Sequence, residues 1–224
     1  VKDETGAVVN GAFEGIIPDC LKTSGDVDLS NEIKGLSTFD ARVIVIKFIP
    51  TADTFYYRYV FASEEYDEYV GSQFNDVFAF YIYEEGGKKV NTAMVPNQNL
   101  PVSINSINGG NPQNPFAQKT NPYLFQRNNG KQNLLFDGFT KVLDIRYKVV
   151  PGKVYYIKIA IADASDCVWD SAVLIENGSI FSYFKTYEMH FKSDSSIPVD
   201  PERIEEVVKY IEGHPGCKVQ LIGH

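Results

Sequence analysis

The sequence predicts a mainly β protein: a β-sandwich or jelly-roll-like domain over residues 1–187, followed over 188–224 by a partial α+β unit of strand, helix and strand. Three observations carry this expectation. Apolar runs rich in β-branched and aromatic residues recur along the chain. Clusters of Gly, Pro and Asn separate them. Helical periodicity is confined to the C-terminal end.

The first run, ARVIVIKFIP (41–50), is nearly continuous in apolar residues, which predicts a strand buried on both faces. TFYYRYVFAS (54–63) is an aromatic strand interrupted by Arg58. DVFAFYIYEE (76–85) and PVSINSI (101–107) read as the next strands. The interval 108–137 is rich in Asn, Gly and Pro and reads as a long ordered surface loop, a feature that is usually functional or mobile. KVLDIRYKVV (141–150) alternates apolar and polar residues, as a half-exposed strand does. Pro151 and Gly152 then turn the chain into KVYYIKIAIAD (153–163), and SAVLIENGSIF (171–181) follows.

The C-terminal unit starts with a short strand pattern at 188–192. Asp200 is placed to cap a helix, with Pro201 as its first residue and Glu202 near the positive end of its dipole. Ile204, Val207, Val208 and Ile211 make one apolar stripe, and His214-Pro215-Gly216 ends the helix. CKVQLIGH is the second strand. Such a unit buries little surface alone, and reads as the opening of a second domain.

An apolar fraction of 44% with 13% aromatics supports a substantial core. The formal net charge of -8 argues against a nucleic-acid partner, which selects Lys and Arg on one face. It suits cations, or solubility. No apolar run of about 18 residues is present to span a bilayer, and no signal peptide is visible at the N-terminus. Cys20, Cys167 and Cys217 lack C-x-x-C spacing, and only three His accompany them, which argues against zinc. Cys20 and Cys167 are candidates for a disulfide in an oxidising compartment; three free thiols are the alternative.

Two segments concentrate acids. Glu64, Glu65, Asp67, Glu68 and Asp76 lie between two apolar strands, and Asp163, Asp166 and Asp170 follow another. If those strand ends share one edge of the sandwich, the acids converge and repel unless a proton or cation intervenes. A hard divalent ion such as Ca2+ takes about 6–8 oxygen ligands. Glu64, Asn75, Asp76, Asp163 and Asp170 are the expected ligand set; a solvated acidic loop with Asx-turns is the alternative. No EF-hand spacing is present. A competing use is a glycosidase-like carboxylate pair, Glu64 with Asp163, and the lone Trp169 offers a face on which a sugar can stack. Other catalytic constellations fail. His190, His214 and His224 all lie in the C-terminal segment, and there is no G-x-S-x-G, H-E-x-x-H or P-loop. The expectation is therefore a protein that is not an enzyme.

Four motifs occur in a recognisable order: Ser63-Glu64-Glu65-Tyr66, Phe74-Asn75-Asp76-Val77-Phe78, Asp137-Gly138-Phe139-Thr140, and Ile161-Ala162-Asp163 leading to Asp170-Ser171-Ala172-Val173. With them, residues 10–185 resemble the choice-of-anchor L domain. The resemblance implies a secreted or envelope protein of bacteria, with an adhesive or structural role and no enzymatic activity. Residues 188–224 resemble the opening of an OmpA-like peptidoglycan-binding domain, with Gly223-His224 matching the first half of a Gly-His-Thr-Asp signature. The residues with which that family holds diaminopimelate are not in this chain, so no such site is carried over. Together the resemblances imply a Gram-negative envelope module, periplasmic, outer-membrane or surface-exposed. Its OmpA-like tail tethers it to peptidoglycan, and a surface protein or glycan is its possible ligand. That setting favours both the Cys20–Cys167 pairing and a bound calcium ion.

Overall fold

The computed structural model describes residues 20, 23–129, 136–176, 181–183 and 202–213. The strand patterns expected at 188–192 and 217–224, the Asp200 cap and Pro201 lie outside the described residues. Among the described residues the protein is mainly β, with two antiparallel sheets and no closed barrel.

The chain opens with a short helix, α1 (Val27–Glu32), that no periodicity announces. The Asp26 side chain starts it by accepting the backbone N–H groups of Asp28 at 3.0 Å and Leu29 at 3.1 Å. The first sheet has the order β1 (Thr38–Phe48), β8 (Tyr155–Ala164), β3 (Val77–Glu84), β4 (Val90–Asn91). α1 lies on its outer face. Leu29 packs there among Ala79, Ala160 and Ala162, and Lys158 donates to Asp26 and Asp28, each at 2.6 Å. Burial works against the charge on Lys158, but those two carboxylates outweigh it and raise its pKa.

The second sheet is built around β2 (Thr54–Ser63). Its N-terminal half pairs with β7 (Leu143–Lys148) and β10 (Phe181–Tyr183). Its C-terminal half pairs with β6 (Gly138–Thr140) and β9 (Ser171–Ile175), and β5 (Phe125–Arg127) pairs with β6. The core lies between the sheets. Phe55, Tyr57, Tyr59 and Phe61 point inward from β2, and Phe78, Phe80 and Ile82 meet them from β3. Tyr57 stacks on Phe80 with ring centres 3.9 Å apart, and its hydroxyl meets Thr92 Oγ1 at 3.1 Å. Arg58, on the opposite face, forms ion pairs with Asp144 and Glu176, which explains its place in an apolar strand.

Three expectations need correction. β1 is not buried on both faces: Val43, Ile44, Val45 and Ile46 are all exposed. Their β-branched character makes the strand, but β1 sits at the end of the first sheet. An unbroken apolar run reports burial only when something covers both faces. The segment 101–107 is not a strand; it turns, touching Val77 and Met94 through isolated bridges while Ile104 and Ile107 fill the core. The long interval 108–137 is largely loop, as expected, but contains β5. Asn108 holds that loop: its Oδ1 accepts Gly110 N at 3.0 Å and Thr120 N at 3.1 Å, and its Nδ2 donates to Ile104 O. Positions 130–135 lie outside the described residues. Near the C-terminus a helix, α2 (Glu202–Gly213), forms where expected, with Ile204 and Val208 of the apolar stripe exposed.

Because Phe80 sits where the two sheets interlock, Phe80→Ala is expected to lower stability by about 3–5 kcal/mol. Urea unfolding with an unchanged m-value is the measurement, and a loss below about 1 kcal/mol contradicts this account of the core.

Candidate functional site: an acidic rim at one end of the sandwich

The acids gather because of strand register. Side chains alternate between the two faces of a strand, so an inward-facing row keeps its parity to the strand's end. In β2 the inward row is Phe55, Tyr57, Tyr59, Phe61, and two further steps reach Ser63 and Glu65. In β3 the row Ile82, Phe80, Phe78 runs back to Asp76. In β8 the row Ile157, Ile159, Ile161 runs on to Asp163, and in β9 the row Ile175, Val173 runs back to Ser171. Pairing brings these ends to one level: Ser63 lies opposite Ser171, and Val77 opposite Ala162. The core of the sandwich therefore ends, on one side, in Glu65, Asp76 and Asp163, all buried.

Hydrogen bonds fix most of the rim. Asp76 accepts Ala164 N at 3.0 Å through Oδ1 and Ser171 Oγ at 2.6 Å through Oδ2, joining β3 to β8 in its own sheet and to β9 in the other. Glu65 Oε2 accepts Asp76 N at 3.4 Å. Glu64 donates its N–H to Asp170 O at 3.0 Å and accepts Asp170 N through Oε2 at 3.2 Å, which ties the 64–76 loop to the 165–170 loop. The second loop is pinned further. A disulfide joins Cys167 to Cys20, with their Cα atoms 4.8 Å apart. Ser165 donates its N–H to Ser37 O and its hydroxyl to Gln73 O, each at 2.9 Å. Ser165 and Trp169 are both in the left-handed region, at φ 73° and 69°, an arrangement that a bulky residue holds only when its surroundings enforce it.

Asp163 stands apart. It is only 8% exposed and its carboxyl takes no hydrogen bond from any described residue. Burial pushes its pKa up to about 8, and the negative charges of Asp76, Asp170, Asp40 and Asp166 add to that. Burial also raises Glu65 to about 8; the Asp76 backbone N–H works against this, while Asp166 and Asp163 reinforce it. Asp76 is raised as well, by burial first and by Glu65 next, against the hydrogen bonds from Ser171 and Ala164. The rim's donor set is all oxygen, which is the preference of a hard divalent cation, and Asp163 is the carboxyl in it that no described residue hydrogen-bonds. Carboxylates are not drawn to a single point, however. Among the described residues, only Cys20, Asp40 and Cys167 bring three ligand-type atoms within 4.8 Å of one another, and both sulfurs are committed to the disulfide.

Of the expected set, Asp76, Asp163 and Asp170 meet at this rim, and Glu64 joins them through Asp170. Asn75 faces elsewhere: its Oδ1 accepts Asn105 N at 2.8 Å and so helps to shape the loop. The expected ligand set left out Glu65 and Asp166, although both stand in the two acid-rich segments, and Asp40 was not among the acids singled out. For Glu65 the signal was present, since extending the β2 alternation selects Glu65 and not Glu64 as the inward acid. Asp40 had no such signal. It comes near the rim through the irregular register between β1 and β8 at Phe39 to Arg42, and its own φ is 47°.

Two antiparallel sheets are closed at one end by an acidic rim that a disulfide staples, a bridge of the kind that persists in oxidising compartments. The chain belongs to the choice-of-anchor L domain family, whose model matches residues 4–182, and this marks it as a bacterial surface-associated or secreted module. No curated protein and no solved structure matches the chain. The OmpA-like resemblance of residues 188–224 finds no counterpart in these comparisons. No described helix is long and apolar enough to cross a membrane.

Raised carboxyl pKa values fix the sign of a pH effect. From about pH 4 to pH 8 the unfolded chain has released the protons of Glu65 and Asp163 while the native chain retains them. The native state then binds more protons, so the stability of chelator-treated protein falls as pH rises through that window and levels off above it. Asp163→Asn removes one of these groups and is expected to raise stability at pH 8 by roughly 1–3 kcal/mol, with little change at pH 4. Urea unfolding at both pH values checks this. A variant no more stable than the parent at pH 8 shows that Asp163 carries no buried proton.

Proposed function

We propose that the chain is a non-enzymatic module of a Gram-negative cell envelope, serving adhesion or surface architecture, with a divalent cation such as Ca2+ stabilising its acidic rim. The observation that carries the cation is Asp163: a buried carboxyl that no described residue hydrogen-bonds, in the field of four other acids. Asp163, Asp170 and Asp76 would hold the ion, with Glu64 and Asp166 at its margin. A doubly positive ion there offsets their repulsion and releases the proton from Asp163. Family membership and the disulfide support an extracytoplasmic setting. The tether to peptidoglycan rests on the OmpA-like resemblance of residues 188–224 alone. A surface protein or glycan is the ligand class that an adhesive role implies.

Ion removal is the direct test. At a free calcium concentration 100 times the dissociation constant, binding adds about 2.7 kcal/mol, which for a chain of this size raises Tm by about 5–10 °C. EDTA should abolish that increment, calcium should restore it, and Asp163→Asn should be insensitive to both. A Tm indifferent to EDTA and calcium overturns the cation.

A carboxylate pair such as Glu64 and Asp163 is also the equipment of a glycosidase. The expectation is no turnover of a glycan panel by the parent protein. Turnover that disappears in both Glu64→Ala and Asp163→Ala would replace the present reading with an enzymatic one.

A further inference from the structure

β1 ends the first sheet, and one side of its backbone faces away from β8. At the start of the strand that outer side is already in use. Ser24 forms an antiparallel bridge with Phe39, Asp40 donates its N–H to Thr23 O at 3.3 Å, and Ala41 donates to Ser24 O at 3.2 Å. Beyond Ala41, among the described residues, no strand pairs with the outer side of Arg42–Phe48. Seven residues span about 23 Å, enough for a full strand of ordinary length.

The side chains along this open edge are apolar on both faces. Ile44 and Ile46 share the inward face with Phe48, and Val43 and Val45 share the outer face with Lys47; Ile44 is 59% and Val45 56% exposed. Natural edge strands are usually blunted by Pro, charge or a covering element. Here four consecutive β-branched residues are displayed with no Pro among them. The charges sit outside that run. Arg42 precedes it and Lys47 follows it, and neither forms an ion pair with a described residue, although the chain as a whole carries a net charge of -8. An apolar edge bracketed by two unneutralised cations is complementary to an apolar strand bracketed by two carboxylates.

We propose that Arg42–Phe48 is a docking edge for a β-strand of a partner protein, added antiparallel to β1, with a β-branched centre and an acidic residue at each end. Ser24 shows that the edge accepts an antiparallel backbone at its first residues, and the partner strand continues that pairing. Backbone hydrogen bonds along the edge hold the strand, Ile44, Ile46, Val43 and Val45 cover its apolar residues, and Arg42 and Lys47 select the acidic termini. The inference goes beyond the cation reading and does not depend on it.

Two blocked peptides, EVTVTE and KVTVTK, whose end residues fall opposite Arg42 and Lys47, are the probes, titrated into the full chain and followed by amide hydrogen exchange and NMR line positions. The expected result is slowed exchange of the 42–48 amides that point away from β8 with the acidic-ended peptide, and binding about tenfold weaker for the lysine-ended one. The double variant Arg42→Glu, Lys47→Glu, altered only at exposed positions, should reverse that order. Absence of protection at 42–48, or equal binding of both peptides, overturns the proposal. So does protection, in the peptide-free chain, of those 42–48 amides that point away from β8: if independent of protein concentration, this chain covers its own edge, and if it rises with concentration, a second copy does. Either result is separable from the cation test, which reads Tm.

Discussion

The alternation of side chains along four paired strands is the constraint on which this structure depends. Once β2, β3, β8 and β9 are in register, their inward rows must end at a common level. What stands at that level is not apolar but Ser63, Glu65, Asp76, Asp163 and Ser171. The same geometry that stacks Tyr57 on Phe80 therefore forces carboxyl groups into a space where charge is poorly solvated. Asp76 is satisfied by Ala164 and Ser171, so it acts as a tie between strands. Asp163, two residues past the last inward isoleucine of β8, has no such partner. The chemical character of the rim follows from that difference.

The loops that close the rim are held from several directions. The Glu64–Asp170 pair of hydrogen bonds, the two bonds of Ser165 and the Cys20–Cys167 bridge all act on the segment 165–170. Holding like charges together requires a frame that does not relax away from them, and the left-handed conformations of Ser165 and Trp169 lie within that frame. The disulfide also ties the chain that precedes α1 to the far end of β8, a link that suits an oxidising compartment and the bacterial surface setting of the family.

The two sheets are unequal at their margins. β2 is paired along both sides and buries an unbroken aromatic row, whereas β1 has β8 on one side and, among the described residues, no paired strand over most of the other. The rim and the open edge are thus distinct features of one scaffold: one collects negative charge from within the chain, and the other presents apolar strand surface with positive charge at its ends.

By itself the sequence determined the secondary elements that periodicity controls. The strands at 54–63, 76–85, 141–150 and 153–163 and the helix near residue 202 all follow from spacing of apolar residues, because that spacing reflects which face each element must bury. It also singled out two acid-rich segments that would converge if their strand ends shared one edge, and the order of its motifs matched a family. Only the tertiary structure decided which acids are inward, because that depends on parity carried past the strand ends into loops, and so Glu65 belongs to the rim while Asn75 supports a loop. Only it decided that Val43–Ile46 are exposed, since a strand's composition records that it pairs but not whether a second layer covers it. And only it placed Asp40 beside the disulfide, through a register irregularity that no local pattern encodes.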